Sequence, residues 1–197
     1  MKNPCETKSR LSTVFSVAQR VELSLNMLDR VVTASKSSIA NDTVIVGSDS
    51  LKFWSNEHDV DWIGASNNDL NEDLYLAMCQ SAQDEFVPIY IPGDVPFAKS
   101  SDINEVIKSS NDGSGVVLVP SGQDGGTNCF LNPFPLFFKP LLGINSFERH
   151  IQFVENQNVP FSVKRCSGLL LDLDTESDLS RCDSIEPGFR DRLGKPV

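Results

Sequence analysis

The chain has 197 residues, of which 40% are hydrophobic and 22% charged, and its formal net charge is −10. A chain of that size suits one domain burying roughly 70% of its unfolded surface, and the composition excludes wholesale disorder. The negative charge argues against nonspecific nucleic-acid binding, and with no signal-peptide pattern and no apolar run near about 18 residues a membrane span is not expected.

The five cysteines (Cys5, Cys79, Cys129, Cys166, Cys182) are widely spaced and form no C-x-x-C pair. They read as reduced thiols of a cytoplasmic protein, not as a disulfide framework or zinc site. Between Phe53 and Ala98 there are nine acidic residues and no lysine or arginine, which reads most simply as a solvated acidic surface. A phosphate-binding role would draw its positive charge from Lys2, Lys8 and Arg10.

Residues 2–10 form a polar, proline-containing loop. Ser16 then caps a helix, with Gln19 at the capping-box position and Val17, Val21, Leu25, Leu28 and Val32 at helical spacing along the face expected to be buried. The β-branched run 43–46 is a strand closed by Gly47. The signal is weak over 51–66: a loop with a short strand near Trp62 and Ile63. An amphipathic helix is predicted over about 71–84. The run 86–91 (FVPIYI) reads as a buried strand despite Pro88, which lacks a ladder donor, and it delivers Asp94 to its carboxyl end. Asp102 is expected to open a helix with Glu105 at the capping-box position, and 115–120 is another buried strand. After a Gly125–Gly126 turn come a short strand at 129–131 and a loop rich in proline and phenylalanine. A helix capped by Asn145 or Ser146 carries Phe147, Ile151 and Val154, and a strand follows at 161–163. Finally, Leu169 to Leu171 form an apolar run short enough for a buried strand, and Thr175 opens a helix with Asp178 three residues on. Strands alternating with helices indicate a single α/β domain over 1–197, a three-layer sandwich with a mostly parallel sheet and a looser tail over 180–197.

In such sheets ligands bind beyond the carboxyl ends of the strands, where Asp94 and the pair Asp172/Asp174 fall. Alternation puts Asp172 and Asp174 on one side of an extended segment, where a cation makes their proximity tolerable. Taken alone the pair serves equally well as turn and helix caps; Asp94 at a second strand end tips the reading towards a divalent metal. A haloacid-dehalogenase-like reading of the D-x-D is disfavoured by its late position and by Glu176 where a threonine or valine is expected. The motif GGTN (125–128) offers two glycines, a hydroxyl and an amide to an anion, and GINS (143–146) places a glycine and a hydroxyl at a helix start. Each is also an ordinary turn or cap. His58 and His150 lie near no catalytic motif, and His150 reads as packing.

The ordered set KSRL (8–11), MLDRVV (27–32), PGDVP (92–96), GGTN, GINSFERH (143–150) and GLLLDLDTESDL (168–179) resembles the 2-phospho-L-lactate guanylyltransferase family of coenzyme F-420 biosynthesis. The resemblance implies a nucleotidyltransferase fold of the nucleotide-diphospho-sugar transferase type. It also implies a reaction joining GMP from GTP to 2-phospho-L-lactate, phosphoenolpyruvate or 3-phospho-D-glycerate with release of pyrophosphate. Carried over, Asp94, Asp172 and Asp174 would hold Mg2+. Lys8, with Arg10, would act on the nucleotide phosphates, and Asn71 and Gly93 would touch the nucleotide. Thr127, Asn128, Gly143 and Ser146 would bind the phosphorylated acid. The partners implied are these two small molecules, with no nucleic acid or membrane, and a homodimer is compatible with the resemblance.

Family members carry an apolar strand ahead of the lysine loop, and Met1 stands where that strand should end. Either a start upstream of Met1 supplies it or the chain is a shortened paralogue. Without it, the sheet is expected to show an open slot, a weakened domain or exposed edges.

Overall fold

The computed structural model describes residues 8–65, 69–133 and 135–196. The first part of the expected polar loop, with Lys2 and Cys5, lies outside the described residues.

The first helix, α1 (Val17–Lys36), begins as its local sequence dictates. The Ser16 hydroxyl accepts from the Gln19 N–H and the Gln19 side chain accepts from the Ser16 N–H. Its buried face is shifted from the expected one: Leu28 and Val32 are buried, but Val17 is exposed, and Leu23, Met27 and Val31 complete the face. The helix meets three clusters at once, which broadens its buried stripe. Leu23 and Met27 pack with Leu11, Phe15, Leu173 and Leu179, while Leu28 and Val32 pack with Ile45 and Leu51, and Val31 joins the main core.

Two strands form that main core. β4 (Val116–Pro120) and β5 (Thr127–Leu131) are buried along their whole length. Val117, Val119, Cys129 and Leu131 face α1 and α4 (Ser100–Lys108), whereas Val116, Leu118 and Phe130 face α3 (Leu70–Gln83) and α5 (Ser146–Asn156). Alternation along the strands thus supplies both covered faces of a three-layer α/β sandwich. The sheet runs β3 (Ile89–Tyr90), β5, β4, β6 (Phe161–Val163), while β1 (Val44–Gly47) and β2 (Asp61–Gly64) pair separately.

The expected mostly parallel sheet is corrected to a mixed one. β1 with β2 and β4 with β6 are parallel, but β5 is antiparallel to β3 and β4. The connection 121–126 is far too short for the crossover that parallel neighbours need, so β5 must reverse direction. The strand expected over 86–91 shrinks to Ile89–Tyr90 because Pro88 has no N–H, and only its carbonyl takes part, accepting from Asn132 N at 3.1 Å.

Three further expectations change. Leu169 to Leu171 are not a strand: a 3-10 turn, Ser167–Leu169, leads into irregular chain held by Gly122 N donating to Leu170 O (2.7 Å) and Leu173 N donating to Asp94 O (3.0 Å). The glycine in that turn is required by close approach, since a Cβ on Gly168 would run into the Phe97 carbonyl and an Asp102 carboxylate oxygen. Asp102 does not open α4. Lys99 precedes the first turn, and Asp102 sits inside it and accepts from the Lys99 N–H at 3.0 Å. A short helix, α2 (Lys52–Glu57), also fills part of the weak 51–66 region.

The last helix, α6 (Glu176–Ile185), carries the Thr175/Asp178 capping box as its sequence requires. Residues 186–196, expected as a looser tail, wrap back onto α1. Phe189 is fully buried there, Arg30 holds Glu186 at 2.7 Å, and Arg30 Nε donates to Gly194 O at 2.6 Å.

β1 and β3 do not pair with each other. Between them lies a cavity of about 1360 Å³, walled by Leu28, Val31, Ile45, Met78 and Ile89, with Lys8, Asp94 and Asp174 at its polar end. Among the described residues no strand bridges it.

Candidate active site

Three segments meet at the polar end of that cavity: the turn at Lys8, the loop after β3 that carries Asp94, and the chain leading into α6. Lys8 Nζ donates to Asp94 Oδ2 at 2.7 Å and to Asp174 Oδ1 at 2.8 Å. The lysine side chain is only 5% exposed, whereas the two carboxylates remain partly open. Burial alone would lower the ammonium pKa, but the charges of Asp94 and then Asp174 outweigh it and raise the pKa, so the cation is fixed. Lys8 adopts a left-handed backbone (φ 54°), uncommon for a side chain of this size. Arg10 is exposed two residues on, and both it and Gly93 line the cavity.

Asp172 approaches the same place from the sheet. Its Oδ1 accepts from Asn128 Nδ2 at 3.1 Å and from Ser121 Oγ at 3.2 Å. Burial raises its pKa despite the Asn128 bond, and the charge of Asp94 adds to the rise. Asp172 and Asp174 straddle the fully buried Leu173, whose N–H is held by the Asp94 carbonyl, so one backbone bond locks the three acids to one neighbourhood. The Asp178 carboxylate accepts from the N–H groups of Asp174 and Thr175, which fixes the exit of this segment.

β5 separates two functions by alternation. Asn128 points to Asp172, and its neighbour Thr127 points to the opposite side, towards α5. There Thr127 Oγ1 lies 2.9 Å from His150 Nδ1 and 3.4 Å from Ser146 Oγ. The hydroxyls of Thr127 and Ser146, expected at a bound acid, are therefore turned inward. What faces outward is the loop 141–145 with Gly125 beside it: Gly125, Gly143 (φ 120°) and Asn145 (φ 52°) are exposed, and the Gly125 carbonyl accepts from Phe147 N at 3.1 Å. The Arg149 guanidinium lies over this loop and donates to Leu141 O at 2.7 Å. Asn71, expected at the nucleotide, instead clasps Leu142, accepting from its N–H at 2.7 Å and donating to its carbonyl at 3.3 Å.

Sequence reasoning missed Ser121, Arg149 and the bonding of His150. Arg149 had a signal: a basic residue in the first turn of a helix opened by a glycine and a hydroxyl.

The three carboxylates suit a hard divalent cation in donor type, and the ammonium that two of them already hold shows that positive charge is what the place accepts. In this arrangement the Lys8 ammonium holds two of them, and no group of three acids is close enough to cage a metal among the described residues.

Residues 1–182 match the family described as guanylyl transferase CofC like. The chain belongs to that family. It is 28% identical over 176 residues to the phosphoenolpyruvate guanylyltransferase of Thermobaculum terrenum, covering 88% of this chain and 76% of the relative. It is 31% identical over 179 residues to the 2-phospho-L-lactate guanylyltransferase of Methanocaldococcus vulcanius, covering 87% and 76%. The fold matches a protein of Desulfovibrio desulfuricans G20 assigned to the nucleotide-diphospho-sugar transferases, with a TM-score of 0.78 over 96% of this chain and 87% of that one at 15% identity. That likeness establishes the nucleotidyltransferase fold.

Proposed function

We propose that the chain is a guanylyltransferase that joins GMP from GTP to the phosphate of a small phosphorylated acid, releasing pyrophosphate. Membership of the family and the activities named for its relatives support this reading. The observation that carries it is the Lys8 ammonium held between Asp94 and Asp174 beside Asp172, a charged knot at the polar end of an open cavity.

The reaction suits these residues. The attacking phosphate oxygen is already anionic, so no general base is needed, and neither histidine stands at the knot. Charge neutralisation and alignment remain. The permanently charged Lys8 meets the nucleotide phosphates, and Arg10 adds charge at the cavity rim. Asp94, Asp172 and Asp174 match Mg2+ in donor type; to hold it they would have to draw closer together than they stand here and exchange the Lys8 ammonium for the ion, which would neutralise the phosphates further. The acid would sit on the loop 141–145 at the start of α5, where the helix dipole and the Arg149 guanidinium favour an anion. The acid is 2-phospho-L-lactate, phosphoenolpyruvate or 3-phospho-D-glycerate, and the product would feed coenzyme F-420 assembly in a reducing cytoplasm. Among the described residues four cysteines are unpaired, three of them buried, which suits that setting.

The test is pyrophosphate release by the purified chain with Mg2+, GTP and each acid in turn. Release with one acid, abolished by a chelator, is the expected result. The cavity between the unpaired β1 and β3 favours a second reading, a binding protein that keeps the fold without the chemistry. A cooperatively folded protein inert with all three acids, and whose cellular role is indifferent to Asp172→Asn, would establish that reading instead.

A further inference from the structure

His150 is wholly buried, its ring between Phe130 and Phe138 with centroids 5.5 and 5.2 Å away. Its Nε2 accepts the Leu141 N–H at 3.0 Å. A backbone amide can only donate, so Nε2 carries no proton. Burial, with the nearby Arg149 charge adding to it, holds the imidazole pKa at about 4, so the ring is neutral at physiological pH and its one proton is on Nδ1. Nδ1 therefore donates to Thr127 Oγ1 at 2.9 Å, and the Ser146 hydroxyl lies 3.4 Å from the same oxygen. Through one ring, the first residue of β5, the loop before Gly143 and the first turn of α5 are fastened together.

Packing alone would not require this pattern. A phenylalanine would fill the aromatic box, but it would deprive the Leu141 amide of the imidazole acceptor and leave the Thr127 oxygen with the longer Ser146 contact in place of the imidazole donor. Two of the segments so fastened, the loop 141–145 and the start of α5, are the proposed acid subsite, and the third, the start of β5, braces them from inside. Ser146 N also donates to Gly143 O, and Phe147 N to Gly125 O, both at 3.1 Å, so the shelf is cross-tied through its main chain as well.

We propose that His150 is a positioning residue of the acid subsite: in its Nδ1–H form it locks Thr127, the loop 141–145 and the start of α5 into one shelf for the phosphorylated acid. It touches no reacting atom, and the proposal rests on the guanylyl-transfer reading above. Its effect should fall on the acid and spare GTP, because Lys8 and Asp172 lie on the other side of β5.

The test compares the wild type with His150→Phe and His150→Gln. Pyrophosphate release is followed with the acid varied at saturating GTP and with GTP varied at saturating acid. Nitrogen-15 spectra of ring-labelled wild-type protein report the tautomer. The expected result is a KM for the acid raised about tenfold or more in His150→Phe, with the KM for GTP within about twofold and kcat nearly kept. Glutamine can accept from Leu141 and donate to Thr127, so His150→Gln should regain much of the loss. The spectrum should show Nδ1–H. An Nε2–H spectrum, an unchanged acid KM, or equal shifts in both KM values overturns the role of His150 while leaving guanylyl transfer standing. Should His150→Phe fail to fold, His150→Leu takes its place with His150→Gln as the rescue: a raised acid KM in the leucine variant that glutamine restores supports the role, and an unchanged acid KM or equal loss towards both substrates overturns it. A folded wild type inert with all three acids takes down the transfer reading, and the role of His150 with it.

Discussion

Asp172 and Lys8 both approach Asp94, from two different walls of the site, and the walls differ in what stands behind them. Asp172 leans on Asn128 and Ser121 at the adjoining ends of β5 and β4, two strands buried on both faces. Lys8 sits in a left-handed turn ahead of the 3-10 helix Ser9–Leu11, tied across the site by two ion pairs, with the cavity separating β1 from β3 nearby. One wall is positioned by packing and the other by the charges that would do the chemistry. Substitutions in the first can therefore separate activity from stability, which sharpens what each residue is for.

The largest effect is expected on turnover. Asp172→Asn keeps the shape and both hydrogen-bond neighbours but removes the charge, and should lower kcat on the order of 10²- to 10³-fold. Melting should stay level or rise slightly at neutral pH, because the raised pKa of Asp172 means that its charged form is disfavoured by folding. Pyrophosphate assays beside a thermal melt check both halves. A variant that loses activity and stability together would break the contrast between the walls.

Next comes acid lability from the packed wall. His150 has a folded pKa of about 4 against 6.5 for the free side chain. Above pH 6.5 it is neutral in both states and costs nothing. As pH falls from 6.5 through 4 the unfolded chain takes up a proton that the folded one resists. Stability is lost across that window, amounting to about 3 kcal/mol once pH is below 4. Urea midpoints from pH 7 to 4.5 measure it, read as wild type minus His150→Gln because carboxylates titrate in the same range. A smaller effect, about 2 kcal/mol, is expected for Gly168→Ala, whose methyl meets the Phe97 carbonyl and Asp102. It should lower the denaturation midpoint with GTP binding largely kept in the folded fraction.

What could be read in the sequence followed the range of the forces involved. The capping boxes at Ser16/Gln19 and Thr175/Asp178 span three residues and were legible outright. β4 and β6 were visible as short apolar runs, but the antiparallel setting of β5 depends on how few residues join it to β4. The apolar run at Leu169 to Leu171 suits a strand or a buried irregular segment equally, and contacts with Gly122 and Asp94 from distant loops decided it. Asp94, Asp172 and Asp174 were expected together; Asp94 and Asp174 share Lys8 and the charge of Asp94 reaches Asp172, but among the described residues no three acids group closely enough to hold a metal. That Lys8 binds two of them, from 86 and 166 residues away, no spacing rule could show. Asn71 and His150 each carry ordinary side chains in ordinary helices, and their grip on the loop 141–145 exists only in three dimensions.

The smallest stability change is expected where the chemistry is most exposed to change. Lys8→Met should lower turnover by about 10²-fold, since it removes the buried cation at the knot, yet shift unfolding free energy by less than about 1 kcal/mol. Removing one partner of a buried ion pair is costly when it strands the other charge away from water. Here the buried member is the lysine, and its departure leaves Asp94 and Asp174 with side chains 32% and 48% exposed, able to hydrate. The desolvation of the ammonium is relieved at the same time. Hydrogen exchange adds the regional readout: amides of β1 and β2 should exchange faster than those of β4 and β5 in the wild type, and Lys8→Met should leave that order intact. A large loss of stability, or β1–β2 amides opening only in the variant, would mean that the ion pairs hold up the whole amino-terminal wall and not just the lysine itself.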